Sequence, residues 1–147
     1  MRTVRRKPWL GLAAVLAGAA ILSGCAGARG TADRPRTVMI PIEHSAFGVR
    51  EVRVAVGETV RFVLENGDPI DHEFILGDEG VQLRHERGTE PYHPPRPGEV
   101  TIAAGETAET VVTFDPDVFP GADGPLIFGC HLPGHYAYGM RGVVVVG

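Results

Sequence analysis

Apolar and polar residues alternate with a period of two through much of the chain after residue 37. Val52, Val54 and Val56 alternate with arginine and alanine, and the alternation resumes at residues 60–65 after a Gly-Glu pair. Strict alternation of this kind predicts strands with one buried face. Further strands are predicted at residues 38–42, 72–76, 99–103, 107–114, 126–130 and 142–147, and residues 81–83 are a candidate for one more short strand.

Seven or eight short strands separated by turns predict an all-β sandwich or barrel. No amphipathic helix is predicted after residue 24. Pro41 interrupts the strand at residues 38–42 and therefore predicts an edge strand. The valine-rich segment 142–147 predicts a closing strand that is buried on both faces.

The connections between these strands differ in character. The similar sequences at residues 54–59 and 102–107, Val-Ala-Val-Gly-Glu-Thr and Ile-Ala-Ala-Gly-Glu-Thr, predict the same turn used twice. Residues 84–98 are charged and contain four prolines, which predicts an irregular surface excursion.

The N-terminus reads as a targeting segment. Residues 1–24 combine four basic residues with a short apolar run, which is the pattern of a signal peptide. Leu22-Ser23-Gly24-Cys25 resembles a bacterial lipobox, which implies cleavage before Cys25 and a lipid on its sulfur; an ordinary secretory signal is the alternative. Residues 25–36 then predict a flexible tether. The domain, residues 37–147, would be exported and held by lipid at the outer face of the cell membrane or in the periplasm.

The charge and the cysteine content of the chain restrict which partners and ligands it could bind. The chain has 14 basic and 18 acidic residues, and removal of residues 1–24 would leave ten basic residues and a net charge of −8. An acidic exported domain is a poor ligand for nucleic acid and favours a protein partner with a basic docking face. With Cys25 assigned to lipid, Cys130 is a single exported thiol, which a bound metal would occupy as thiolate.

A segment near the C-terminus carries the candidate chemistry. Cys130, His135 and Met140 follow a Cys-x4-His-x4-Met spacing around the turn formers Pro133 and Gly134. Thiolate and thioether ligands favour copper among the biological metals. Two histidines, one cysteine and a weak axial methionine form the copper sites of electron-transfer proteins.

The remaining histidine of such a site must come from an earlier part of the chain. His72 is the candidate, because it follows a dense turn at residues 66–69 and begins an alternating strand. His44 is its nearest rival from an upstream segment.

This motif and the strand pattern resemble the cupredoxin family of mononuclear, type 1 blue copper proteins over residues 37–147. The four-residue spacings are similar to those of rusticyanin, auracyanin and sulfocyanin. The resemblance implies a Greek-key β-sandwich with one copper ion that carries single electrons. It also implies that His72, Cys130 and His135 are equatorial ligands and that Met140 is the axial ligand.

The resemblance further implies that the histidine of the loop lies at the surface and passes electrons. Leu132, Pro133, Tyr136 and Ala137 are predicted to form an apolar docking patch around His135. Its redox partner would be a protein such as a cytochrome c, a membrane oxidase or a reductase.

Three neighbours of the ligands have predicted roles. Many cupredoxins have asparagine after the first histidine, whereas this chain has Glu73, so the tie from that strand to the cysteine loop is predicted to be altered or missing. Gly139 is predicted to leave room for the backbone beside the metal. His131 directly follows Cys130 and is predicted to point away from the copper.

Other functions stay open at this point. A copper-dependent oxidoreductase subunit would resemble nitrite reductases or multicopper oxidases, but this chain has one domain and no His-x-His pair. A copper-binding or delivery protein would favour several exposed methionines or histidines, and only three methionines occur. His44, His85 and His93 are candidates for a second metal site, although their spacing fits no specific pattern.

Overall fold

Two β-sheets face each other in the computed structural model, which describes residues 29–147. The strands are β1 (Arg36–Glu43), β2 (Ala46–Phe47), β3 (Glu51–Val54), β4 (Thr59–Asn66), β5 (His72–Gly77), β6 (Glu99–Ile102), β7 (Thr107–Thr113), β8 (Leu126–Gly129) and β9 (Arg141–Val146), with one helix, α1 (Glu79–Glu86), within these residues. One sheet has the strand order β2-β1-β4-β7 and the other has the order β3-β9-β8-β5-β6. The all-β sandwich predicted from the sequence is confirmed.

Phenylalanine rings from both sheets fill the space between them. Phe62 of β4 lies 5.3 Å from Phe74 of β5, and Phe74 stacks on Phe128 of β8 at the same centroid distance. Phe47 meets the edge of the Phe128 ring. All four rings are buried, and burial of each contributes roughly 1.5–3 kcal/mol. The core therefore fixes the ends of β5 and β8, which carry the candidate ligands.

Most predicted strands and turns are confirmed. The strands β3, β4, β6 and β7 occupy the alternating segments. Gly57 and Gly105 both have positive φ, and the following glutamates donate equivalent backbone hydrogen bonds to Ala55 and Ala103. The same turn is thus used twice, and each time it connects one sheet to the other. Strand β1 has the two-residue β2 on its outer side, so residues 36–41 form an edge as predicted.

Three structural predictions were wrong. Residues 81–83 lie in α1 and not in a strand, and the first residues of the 84–98 excursion are helical. The side chain of Asp78 caps this helix by accepting from the Val81 N–H at 2.8 Å. The helix has no apolar face, so hydrophobic periodicity could not reveal it. Strand β9 is not buried on both faces: Val144 is buried, whereas Val143 and Val145 are exposed.

The start of the described chain is attached to the sandwich. The carbonyl of Gly30 accepts from the Thr59 N–H at 3.0 Å, and Thr31 and Arg34 close a small turn before β1. Of the residues predicted as part of the tether, Gly30, Thr31 and Arg34 are therefore hydrogen-bonded, and Arg36 belongs to β1. The signal peptide, the lipidation site Cys25 and the first tether residues lie outside the described residues. Within residues 29–147 no helix is long and apolar enough to cross a membrane.

Candidate metal centre

Strand pairing brings the candidate ligands together at one end of the sandwich. His72 is the first residue of β5, and Cys130 follows the last residue of β8. The two strands are antiparallel neighbours, with Ile75 opposite Gly129. Residues 58 positions apart in the sequence therefore meet, and the loop after Cys130 folds back with His135.

The donor atoms of the three residues form a compact set. Cys130 Sγ lies 3.3 Å from His135 Nδ1 and 3.9 Å from His72 Nδ1. All three donor atoms are within 4.8 Å of one another, and the two imidazole rings are 5.1 Å apart. His72 and Cys130 are fully buried, whereas His135 is partly exposed. Two imidazole nitrogens and one sulfur facing a common centre suit a copper ion.

Asp68 sets the orientation of His72. Its Oδ2 lies 2.9 Å from His72 Nε2, so this nitrogen carries the proton and Nδ1 is left with the lone pair that a metal needs. Burial alone would raise the pKa of Asp68, but N–H groups of Ser45 and His44 and the His72 ring lower it below its ordinary value. The carboxylate is thus ionised and holds the ring by a charge-assisted hydrogen bond.

The same contacts decide between the two candidate histidines. His44 donates its backbone N–H to Asp68 Oδ1 at 2.7 Å and is not a member of the donor cluster. His72, preferred from the sequence, is in the cluster. Asp68 was missed by the sequence analysis, although an aspartate four residues before the histidine, inside the predicted turn, was a usable signal.

Cys130 is held by the backbone of β5. The Glu73 N–H donates to Cys130 Sγ at 3.3 Å, so strand and cysteine loop are tied by the main chain, whatever side chain stands at this position. Burial raises the pKa of the Cys130 thiol. A metal cation at this site would offset that cost, because it binds the thiolate form.

Backbone hydrogen bonds shape the loop between the ligands. The Cys130 N–H donates to the Met140 carbonyl at 3.1 Å, and the Met140 N–H donates to the His135 carbonyl at 3.0 Å. Met140 is buried with Cys130 in the core cluster. Gly139 has φ +96°, a backbone conformation that favours glycine, and no protein atom lies within 4 Å of its Cβ position.

The predicted docking residues do not share one environment. Pro133 and Ala137 are exposed, whereas Leu132 packs partly against the core. The ring of Tyr136 stacks on His131 at 4.6 Å, with the Arg141 guanidinium over it at 5.1 Å. Pro133 and Ala137 thus remain as exposed members of the patch.

His131 lies outside the donor cluster, in a small polar network. Its Nε2 is 2.8 Å from Gln82 Oε1 and its Nδ1 is 3.0 Å from Glu86. Gln82 is buried and also donates to the carbonyls of Ile75 and Ile127, so it links α1 to β5 and β8. Sequence reasoning missed Gln82, because a buried glutamine in a polar helix has no periodic signature.

Two curated relatives are copper proteins by name. The chain is 37% identical over 119 residues to the copper-resistant cuproprotein CopI of Rubrivivax gelatinosus, covering 78% of this chain and 68% of that protein. It is 28% identical to CopI of Pseudomonas aeruginosa, and the match covers 78% of each protein.

Solved structures share the fold of this chain, and a family comparison matches most of its length. Auracyanin B superposes with a TM-score of 0.60 at 21% identity, covering 82% of this chain and 96% of that chain. Auracyanin A from Chloroflexus aurantiacus gives 0.56 at 25% identity, covering 77% and 99%. Residues 37–147 match the copper binding proteins of the plastocyanin/azurin family. The fold, the two-histidine and cysteine donor set and this match together show that the chain belongs to this copper-binding cupredoxin family.

Proposed function

We propose that this protein is an exported, membrane-anchored type 1 copper protein that carries single electrons between redox partners and is not itself an enzyme. His72, Cys130 and His135 would hold the copper, with Met140 as a further, weaker ligand. The observation that carries the proposal is the preformed cluster of three donor atoms within 4.8 Å. The copper ion would supply the one-electron change between Cu(I) and Cu(II).

The protein contributes a nearly fixed ligand geometry. The two oxidation states of copper prefer different geometries, so a site that moves little allows fast electron transfer. Here His72 is held by Asp68, Cys130 by the Glu73 N–H, and the loop by its own backbone hydrogen bonds. Full burial of His72 and Cys130 also keeps water away from the metal.

His135 is the proposed exit for the electron. It is partly exposed and lies in the same loop as the exposed Pro133 and Ala137. A cytochrome c, a membrane oxidase or a reductase with a basic rim would suit an acidic domain. The lipid on Cys25 would keep the protein close to membrane partners.

Copper resistance is the second candidate function, because both CopI relatives carry that description. In that role the same site would bind copper and so limit its toxicity, and no dedicated electron partner would be needed. The two roles differ in their requirement for fast electron exchange.

The first experiment is the visible spectrum of the copper-loaded protein, oxidised and then reduced with ascorbate. We expect an intense thiolate-to-Cu(II) charge-transfer band that bleaches on reduction and is absent in Cys130→Ala. Met140→Leu should keep the band and shift the reduction potential, whereas Met39→Leu, a control at an exposed methionine of β1, should change neither. A colourless protein that binds copper weakly would refute the electron-carrier proposal.

A stopped-flow experiment separates the two roles. The electron carrier should exchange electrons rapidly with a cytochrome c, and the rate should fall with ionic strength if docking is electrostatic. Slow exchange, together with loss of copper tolerance in cells that produce Cys130→Ala, would favour the resistance role.

A further inference from the structure

We propose that His85, His93 and Glu99 form a second metal site, which takes a divalent first-row transition ion and prefers Cu(II). The three residues come from different elements. His85 lies in the last turn of α1, His93 in the proline-rich segment after the helix, and Glu99 at the start of β6. Their juxtaposition is a product of the tertiary fold, and His44, grouped with the two histidines from the sequence, is not part of it.

The donor atoms have the spacing of a metal site. Glu99 Oε1 lies 3.4 Å from His85 Nε2, and Glu99 Oε2 lies 3.3 Å from His93 Nε2. One donor atom from each residue lies within 4.8 Å of the others. Ligands bound at about 2.0–2.1 Å in a tetrahedron are roughly 3.3 Å apart, so both contacts of Glu99 already have the spacing of bound ligands.

Both histidines present the nitrogen that a metal needs. His93 Nδ1 lies 2.9 Å from the Pro94 carbonyl, so it carries the proton and donates, which leaves the Nε2 lone pair facing Glu99. His85 Nε2 is buried and is the one buried side-chain nitrogen or oxygen within residues 29–147 that lacks a hydrogen-bond partner. A buried polar atom without a partner is costly, and a metal ion would satisfy it.

Two arginines leave one carboxylate oxygen free at the site. Arg96 bonds to Oε1 of Glu99 and to Oε1 of Glu90, and Arg84 bonds to the other oxygen of Glu90. Glu99 Oε2 is thus the oxygen available to a metal, on the side of His93. The carboxyl groups of Glu90 and Glu99 balance the two guanidinium charges, so a divalent ion would enter a locally neutral site.

The ligand types select the metal. Two imidazoles and a carboxylate, without sulfur, suit Cu(II), Zn(II) or Fe(II) and do not suit Cu(I). Among the divalent ions of the first transition row, Cu(II) binds such sites most tightly. The side chains of Glu99, His85 and His93 are 10%, 17% and 27% exposed, so an ion can reach the site from solvent.

The second site is independent of the first but close to its ligand loop. The ring of His85 stacks on that of His131 at 5.5 Å, and His131 is bonded covalently to Cys130. No residue is shared between the two donor sets. Loss of the second site should therefore leave the thiolate–copper band in place.

The test is a copper titration of the full apo-protein, followed by absorption and by electron paramagnetic resonance. The wild type should take up two Cu(II) ions, one with the thiolate band and one with a nitrogen-coordinated signal that lacks it. His85→Ala/His93→Ala should lose the second ion and keep the band. The matched control His44→Asn, at a histidine outside both clusters, should keep both ions.

Several results would overturn the proposal. The wild type would bind only one ion, the double variant would still bind a second ion, or His44→Asn would lose the second ion as the double variant does. Tighter binding of Zn(II) than of Cu(II) at the second site would overturn its assignment to copper. If the alanine variant unfolds, as judged by circular dichroism, His85→Gln/His93→Gln provides the same comparison. A missing thiolate band with an intact second signal would count against the proposed electron carrier and not against this site.

Discussion

Replacement of Asp68 by alanine tests whether a residue outside the donor cluster orients the copper site. The carboxylate accepts three hydrogen bonds, from His72 Nε2 at 2.9 Å and from the N–H groups of His44 and Ser45 at 2.7 and 2.8 Å. Without it, His72 can rotate or change its tautomer. Loss of such a partner typically lowers metal affinity about 10- to 100-fold, which corresponds to roughly 1.4–2.7 kcal/mol.

The same variant should also destabilise the apo-protein. His44 and Ser45 both have φ of 55°, and their N–H groups are held by Asp68. These two N–H groups are not deeply buried, so water can partly replace the hydrogen bonds that they make to Asp68. We therefore expect about 1–3 kcal/mol less unfolding free energy in urea.

Asp71→Ala is the matched control. Asp71 lies in the same turn and accepts one hydrogen bond, from the Ala104 N–H at 3.0 Å, but none from a histidine. Both variants remove one negative charge near the site. Copper affinity is measured by competition with a chelator of known affinity, and the thiolate band is recorded for each variant. If Asp68→Ala and Asp71→Ala bind copper equally well, the proposed orienting role of Asp68 is refuted.

Three further substitutions test the scaffold. Glu58 is buried and accepts from Arg36 and from the Ala55 N–H, and although burial alone would raise its pKa, these contacts lower it. Because the folded pKa lies below the unfolded one, the stabilisation is fully present above the ordinary carboxyl pKa and is lost as the pH falls through the lower, folded pKa. Glu58→Gln should therefore lower the free energy of unfolding by about 1–3 kcal/mol at neutral pH and by less in acid. A loss that does not change with pH in urea unfolding would contradict this. Phe128→Ala removes a fully buried ring and should lower the free energy of unfolding in urea by about 3–5 kcal/mol. A loss no larger than that of a substitution at an exposed position would contradict the burial of this ring. Gly139→Ala places a side chain at φ +96°, so it should lower stability by about 1–2 kcal/mol while circular dichroism stays unchanged, and a stabilised variant would refute the conformational argument.

Local patterns in the sequence were sufficient to predict most of the strands and the type of metal. Alternation at residues 52–56 and 60–65 depends on near neighbours alone, because a strand places successive side chains on opposite faces. The Cys-x4-His-x4-Met loop identified copper because ligand chemistry is a property of residue types. Helix α1 was not predicted, because a helix without an apolar stripe leaves no periodic pattern in the sequence. It is held instead by the hydrogen bonds of Gln82 and by the Asp78 cap.

Long-range pairing decided the rest. The contact of His72 with Cys130 depends on the antiparallel pairing of β5 with β8, and spacing in the sequence carries no information about which strands become neighbours. Asp68, placed beside His72 by its turn, could be assigned its orienting role only after that contact was known. The grouping of His85 and His93 with Glu99 joins a helix end, an irregular segment and a sheet edge, so only the packed structure could reveal it. The sequence by itself therefore determined most of the strands and the copper-binding residue types. Tertiary packing determined which donors meet, because the contact of His72 with Cys130 closes a loop of 58 residues whose partners the sequence does not specify.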